Sequence, residues 1–477
     1  MTLRASSLIW ALLLLVPLAT TACGSRTPLF ELGASGTEDG GLDAVAPCPP
    51  SCGRPVFDAQ PPPTDDSSFP DGEIGPFDGS EPFDGFPPPD SGEPDVVTVD
   101  VFVPDAGFPA THPAMPSDPS SGGPVLSTPN LIPVFYTGDS EQTTITDMLT
   151  NLGASPYWSA TTSEYGVSGA TLGTSIVLTT PAPTTIDDSA IQSWLQTNLD
   201  GSDTTWGTPG PEDVFILFYP STTLITLDGY KSCSYFGGYH NETSGSTGVI
   251  HYAVLPRCSG VDGLTAEQEL TFALSHEIVE ATTDPQPYTD PAYVDPDNND
   301  VAWGIIAGGE LADMCEFVPN IQITPAAPFD YTVQRTWSNA SAAASHDPCV
   351  PIPAGEVYFN SAPVMGDTIS LDEGFGPFST VGVEVALGGS KTIPVDLYSD
   401  GPTSGPWTIE AIDVASQYNG EATALTFSFD KTSGKNGDVV HLTINALRKD
   451  PMYGGEIFIL VSTLGGMQTL WFGAVGN

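Results

Sequence analysis

His276 and Glu280 stand four residues apart in Gly263-Leu-Thr-Ala-Glu-Gln-Glu-Leu-Thr-Phe-Ala-Leu-Ser-His-Glu-Ile-Val-Glu-Ala-Thr-Thr-Asp-Pro285. On a helix that spacing stacks them on one face with Cβ atoms about 5–6 Å apart, so an imidazole and a carboxylate reach one small cation. Glu277 is turned about 100° away. It takes the relative position of the general base in His-Glu-x-x-His zinc peptidases, with Glu280 in place of the second histidine. Carboxylate is a legitimate zinc ligand, so the chemistry indicated is zinc binding with Glu277 as proton acceptor.

The helix that must carry these groups has clear ends. Thr265 and Gln268 make a capping box, and Asp284 before Pro285 disfavours further helix. Two helical ligands need a third. Gly309-Glu310-Leu-Ala-Asp313-Met-Cys315 places Glu310 and Asp313 three apart, as on one face of a short helix. Glu310 is the expected ligand; Asp313 either replaces it or orients His276. A lone His-Glu pair is often a surface accident in so acidic a chain. Against that, the sequence holds only six histidines, and one falls where a ligand is useful. His240, beside Gly237-Gly238, either lines the cleft and polarises a substrate or is a satisfied loop residue; His251 is the other domain histidine near these motifs. Asp295-Pro-Asp-Asn-Asn-Asp300 lacks the glycine and terminal glutamate of a calcium loop and is read as a polar loop.

Around the helix, strands and helices alternate. Strands are expected at 130–137, 174–179, 214–219 and 248–255, and helices at 141–152, 156–165 and 187–199. This is an α/β or α+β arrangement. The opposite composition precedes it: 24 to about 124 is rich in Pro, Gly, Asp and Ser, and Pro-Phe-Asp-Gly occurs at 76–79 and 82–85. So few apolar groups cannot offset the entropy of ordering, which predicts a disordered, self-repelling tether.

Ahead of the tether, Arg4 and the apolar run Leu8–Ala19 form an export signal too short to span a bilayer. Thr20-Thr21-Ala22-Cys23 resembles the lipobox of bacterial lipoproteins, with Thr20 departing from the usual aliphatic residue. Lipidation of Cys23 is expected, the alternative being an ordinary cleaved signal. The expected division is 1–22 signal peptide, 23–125 lipid-anchored tether, 126–352 α/β domain and 353–477 β-sandwich. The protein is expected to be exported and anchored by lipid to a membrane, at the outer membrane or cell surface. With 11 Lys and Arg against 59 Asp and Glu, the formal net charge is -48. Such a surface repels nucleic acid and anionic headgroups, and excludes both as partners.

Cysteine usage agrees with export. Cys48 and Cys52 suit a local loop in the tether, and locality pairs Cys233 with Cys258 and Cys315 with Cys349.

The span 126–350 resembles the exordium, or phosphate-induced, protein family of plant cell walls and its bacterial relatives. The resemblance runs in order through Leu131-Ile-Pro-Val-Phe-Tyr136, Pro156-Tyr-Trp158, Cys233, Gly237-Gly-Tyr-His240 and Cys258. It continues through Ser275-His-Glu-Ile-Val-Glu-Ala281, Thr283-Asp-Pro285, Glu310-Leu-Ala-Asp313-Met-Cys315 and Tyr331-Thr-Val-Gln334-Arg-Thr-Trp337-Ser-Asn339, towards Cys349. It implies a zincin-like fold, distantly related to metallopeptidases, in proteins better known as wall-associated, growth-related proteins than as demonstrated enzymes.

After Pro351-Ile-Pro353, strands at 381–387, 392–398, 407–412, 425–429, 439–444 and 457–461 alternate with turns such as Asn436-Gly437. That rhythm is an immunoglobulin-like sandwich, a spacer rather than a recognition module. Two functions are expected. One is a zinc peptidase or other hydrolase of a peptide or cell-envelope substrate, with His276, Glu280 and Glu310 on zinc and Glu277 as base. The other is a surface adhesion or signalling protein whose metal site is structural or vestigial.

Overall fold

The computed structural model describes residues 26–27, 107–258, 263–318, 320–372, 377–418, 421–449 and 454–477. The signal peptide, the Cys23 lipidation site, Cys48, Cys52 and nearly all of the tether lie outside the described residues.

The mixed sheet is built on β1 (Asn130–Tyr136), β2 (Ile176–Leu178), β3 (Asp213–Tyr219), β4 (Gly238–Gly245) and β5 (Gly248–Pro256). β3 lies between β1 and β5, parallel to both; β4 is antiparallel to β5, and the two residues Arg26–Thr27 pair antiparallel to β4 on its other side. Because helices cover both faces, β3 is apolar and buried almost throughout rather than alternating in exposure. Its side chains still alternate between two cores. Val214, Ile216 and Phe218 join Leu131, Phe135 and Leu255 under three helices: α1 (Gln142–Leu152), α2 (Pro156–Thr162) and the long α4 (Ala266–Thr283). Phe215, Leu217 and Tyr219 face the other way, with α3 (Asp188–Asn198).

Both halves of the capping box form on α4: the Thr265 hydroxyl accepts from the Gln268 amide, and the Gln268 side chain accepts from the Thr265 amide. From Glu269 on, nearly every residue of α4 is buried. A helix buried on all sides has something packed on its outer face too. That cover is the region of α5 (Val301–Ala307), α6 (Asp313–Glu316) and the short strand β6 (Val333–Gln334). Glu310 lies in the turn before α6, not on it, so the expected helical face shared by Glu310 and Asp313 is not formed. Gly308 and Gly309 adopt positive φ there and reverse the chain within two residues, leaving α6 room only to begin at Asp313.

Beyond residue 358 the described elements are β-strands apart from one helical turn at Val414–Gln417. One sheet runs β7 (Phe359–Pro363), β10 (Ser390–Ser399), β13 (Val439–Ala446), β12 (Leu425–Phe429). The other runs β8 (Asp367–Asp372), β9 (Pro377–Glu384), β15 (Met467–Gly476), β14 (Glu456–Leu464), β11 (Trp407–Asp413). β7, β8 and β15 are additional to the strands expected from sequence. The change of architecture near 353 does not interrupt the core, because Trp303 of α5 packs edge-on to Phe472 at 4.6 Å, Trp471 at 6.2 Å and Trp337 at 5.4 Å.

Both expected disulfides are present, Cys233–Cys258 and Cys315–Cys349. The first joins the loop before β4 to the end of β5. The second ties α6 to the strand that pairs with Trp337.

Residues 107–125, expected to belong to the tether, are packed instead. The Ala110 amide donates to Asn436, and the His112 ring stacks on Tyr398 at 3.5 Å. Asn339 grips the Asp118 backbone at both its amide and its carbonyl. The amides of Ser121, Gly123 and Leu126 donate to the carbonyls of Ala292, Pro291 and Thr282. Composition does not reveal this strap, because its order comes from backbone hydrogen bonds, which do not depend on apolar side chains. Limited proteolysis should therefore leave a resistant fragment whose N-terminus, read by mass spectrometry, lies close to residue 107. A fragment beginning at 126 or later would show the strap to be loosely held.

A buried histidine and carboxylate cluster

Helix α4 projects His276, Glu277 and Glu280 toward β4 and the turn before α6. All three are fully buried, as is His240 on β4, and Glu310 and Asp313 are at most 5% exposed. The structure thus brings together every metal or catalytic residue expected from sequence. It differs in who meets whom. His276 Nε2 lies 3.0 Å from Glu280 Oε2 and 3.3 Å from Asp313 Oδ1, so Asp313 is the third group at His276. Glu310 instead approaches His240, its Oε1 3.4 Å from Nε2. His240 is a member of the cluster, with Nδ1 3.7 Å from Glu280 Oε2 and 3.9 Å from Glu277 Oε2. His251 has its ring nitrogens buried elsewhere on β5, without hydrogen bonds, and takes no part.

The orientation of His276 is set by a residue not singled out as part of the site. Gln334 Nε2 donates to the Ala312 carbonyl, which turns its Oε1 toward His276 Nδ1 at 2.9 Å. Gln334 is itself pinned, since its amide donates to Ser275 Oγ and its carbonyl accepts from the Tyr157 hydroxyl. His276 Nδ1 therefore carries a hydrogen, and Nε2 is the nitrogen that faces Glu280 and Asp313. His276 Nε2 and Asp313 Oδ1 are buried, and neither makes a hydrogen bond. Buried polar atoms left in this state call for an explanation, and a cation between them supplies one. Gln334 was legible only as part of the family-like run Tyr331–Asn339; nothing in its own spacing marks it.

Glu280 is fixed from the other side, its Oε1 accepting the Asp313 amide. Gly238 makes room for Glu277, because a Cβ there would lie 2.7 Å from Glu277 Oε1.

Electrostatics follow from burial. Burial lowers the affinity of His276 for a proton, but Glu280, Asp313 and Glu277 together raise its pKa well above the usual value. His240 is pushed down to about 4, chiefly by burial. Burial first, then the neighbouring Glu280, raise Asp313 to about 7, and Asp284 also stands near 7 chiefly through burial. Glu316 is raised well above its usual value by burial and Asp313. Asp118 of the strap, fully buried and without a hydrogen bond at either carboxylate oxygen, is raised by burial, Asp295, Asp284 and Glu280. The cluster thus gathers acidic groups and a histidine that hold their protons well above the usual range.

No protein-family model matches the chain, and no curated protein matches it. Among solved structures, domains 4 and 5 of the S-layer protein SbsC are 16% identical, covering 30% of this chain and 91% of that one, at a TM-score of 0.15. The M3 domain of titin is 11% identical, covering 24% of this chain and 94% of that one, at a TM-score of 0.14. Scores this low carry no argument about fold or function. No helix among the described residues is long and apolar enough to cross a membrane.

Proposed function

We propose that this is an exported, lipid-anchored surface protein whose mixed domain holds zinc in a metallopeptidase-like, hydrolase-type centre, as its resemblance to the exordium family and to zincins implies. The observation that carries this reading is the convergence of His276 Nε2, Glu280 Oε2 and Asp313 Oδ1, all buried, with His276 Nδ1 committed to Gln334. Imidazole nitrogen with two carboxylate oxygens is a donor set suited to zinc. His276, Glu280 and Asp313 would hold it, with Glu310 beside His240. Bound there, zinc would supply Lewis-acid polarisation of a carbonyl and acidify water.

The chain's own contributions are separate. Glu277 Oε2 would accept the proton of the attacking water, and His240, donating from Nε2 to the Asp284 carbonyl, keeps its Nδ1 turned toward Glu277 and Glu280. The substrate class that fits an exported hydrolase of this type is a peptide or another cell-envelope acyl compound.

One observation favours a second reading. The whole cluster is sequestered from solvent, as a structural metal site in an adhesion or signalling protein would be. Glu277→Gln separates the two, since it removes a proton acceptor and keeps the shape. For a hydrolase, that variant should retain zinc and thermal stability yet lose at least a hundredfold in cleavage of a peptide library, in line with the loss of a general base. Unchanged cleavage, or no cleavage by the wild-type protein, would leave the structural reading standing.

A further inference from the structure

We infer that the Asp118–Pro119 peptide bond is a self-cleavage site, at which the Asp118 carboxyl attacks its own backbone carbonyl and cuts the strap. The inference is independent of any metal.

An aspartyl-prolyl bond is fragile for two reasons internal to it. The side-chain carboxyl reaches its own carbonyl carbon through a five-membered ring, and the prolyl nitrogen, being a tertiary amide, accepts a proton and leaves more readily than others. The sequence holds such bonds after Asp118, Asp284, Asp290, Asp295, Asp347 and Asp450. The fold makes them unequal. Asp347 is committed to Arg335 and to the Cys349 amide, and Asp284 Oδ1 accepts the Ala292 amide. Asp290 is exposed, and Asp450 lies outside the described residues.

Asp118 differs from these. Its carboxyl is fully buried, and neither oxygen makes a hydrogen bond. Nothing has to be given up before it attacks, and a buried group left in this state calls for an explanation such as reactivity. Asn339 prepares the other partner. Its Nδ2 donates to the Asp118 carbonyl at 2.7 Å while its Oδ1 accepts the Asp118 amide at 2.8 Å. A fixed donor thus points at the oxygen on which negative charge develops during attack. Pro119 is exposed, so water reaches the bond from the far side. Burial first, then Asp295, Asp284 and Glu280, hold the Asp118 carboxyl protonated above its usual range, and Tyr165 and Tyr293 lie within reach of its charge. The attacking group therefore carries the proton that the leaving nitrogen needs.

In the reaction, one Asp118 carboxyl oxygen bonds to the Asp118 carbonyl carbon. The bond from that carbon to the Pro119 nitrogen breaks, and the carboxyl proton passes to the nitrogen. A cyclic anhydride remains at Asp118, and one water opens it to the side-chain carboxyl and a new C-terminal carboxyl. The net change is hydrolysis of one peptide bond. Both new ends stay held, because the Ser117 carbonyl accepts the Asp297 amide, Asn339 grips Asp118 and the Ser121 amide donates to the Ala292 carbonyl. The nicked protein stays assembled until the 107–118 side is lifted away.

The test is intact-mass spectrometry, under denaturing conditions, of folded full-length protein kept in mildly acidic buffer with chelator and protease inhibitors. Two fragments are expected whose masses sum to the intact chain plus one water, the larger beginning at Pro119. Asp118→Ala should give none. Pro119→Ala, a change at an exposed position, should slow the cut at least tenfold, and Asn339→Ala should slow it by about a hundredfold, as loss of an oxyanion donor does. In urea at the same pH the preference for this bond should vanish, and the aspartyl-prolyl bonds should break at similar rates. Folded wild-type protein that stays whole, or that breaks after Asp118 no faster than after Asp290, overturns the proposal. That comparison lies within one wild-type chain, so a variant that fails to fold does not protect it.

Discussion

His276→Ala should strip the cluster of its zinc and leave the protein unable to regain it at micromolar zinc. A structural zinc site contributes roughly 10–16 kcal/mol, so one of about four ligands accounts for about 3 kcal/mol or more. That corresponds to at least about a hundredfold in affinity. Gln334→Leu makes an informative partner, because it leaves every ligand in place and removes the acceptor that fixes His276 Nδ1, together with the donor to the Ala312 carbonyl. Loss of such an outer partner weakens metal binding by about 10–100-fold. Competition with a chromogenic chelator should therefore rank wild type, Gln334→Leu and His276→Ala in falling affinity. Equal affinity for the wild type and His276→Ala would remove His276 from the site.

Stability should depend on pH in opposite senses with and without zinc. Asp284 and Asp313 stand near pH 7 in the folded protein, raised mainly by burial, against about 4 when unfolded. A carboxyl group raised in this way binds its proton more tightly when folded. Its contribution is complete below about pH 4 and is lost as pH climbs to about 7. Asp118, Glu316 and His276, all raised, act in the same direction. His240, held near 4, opposes them between about 4 and 6.5, one group against several. The metal-free protein should thus lose several degrees of Tm between pH 5 and pH 8. Zinc needs deprotonated ligands, so its stabilisation grows over the same interval. Scanning calorimetry of zinc-loaded and chelator-treated protein should show two Tm curves that diverge as pH rises. Parallel curves would mean that the buried carboxylates do not hold the metal.

Much of this site was legible in one helix. The capping box and Asp284-Pro285 delimit α4 in sequence, and the i, i+4 spacing of His276 and Glu280 survives folding because helical geometry is local. Partners from other elements were harder to assign. Whether Glu310 or Asp313 meets His276 depends on the positive-φ glycines 308 and 309, which delay α6 by a turn and swing Glu310 to His240. The place of His240 in the cluster depends on the pairing of β4 with β5 and on α4 crossing that edge, which are long-range facts with no local signal. In the sandwich, β7, β8 and β15 were missed for different reasons. β7 is short and ends in proline, β8 is polar on alternate residues, and Gly473 and Gly476 dilute the β signal of β15. The strap was missed because nothing in Pro- and Ser-rich sequence reveals which backbone groups will find partners.

The strap also has a mechanical consequence. If the segment immediately before residue 107 is pulled, the tension enters the strap at the sandwich. It meets the Ala110–Asn436 hydrogen bond and the His112–Tyr398 stack first. Only after these part does it reach Asn339, which holds Asp118 by two hydrogen bonds, and then the loop at 291–297 beside the cluster. The contacts lie in series, so they yield one after another from the outside inward. Pulled from this side, the sandwich works as a strain relief, and the buried cluster is the last point along the strap to feel the load.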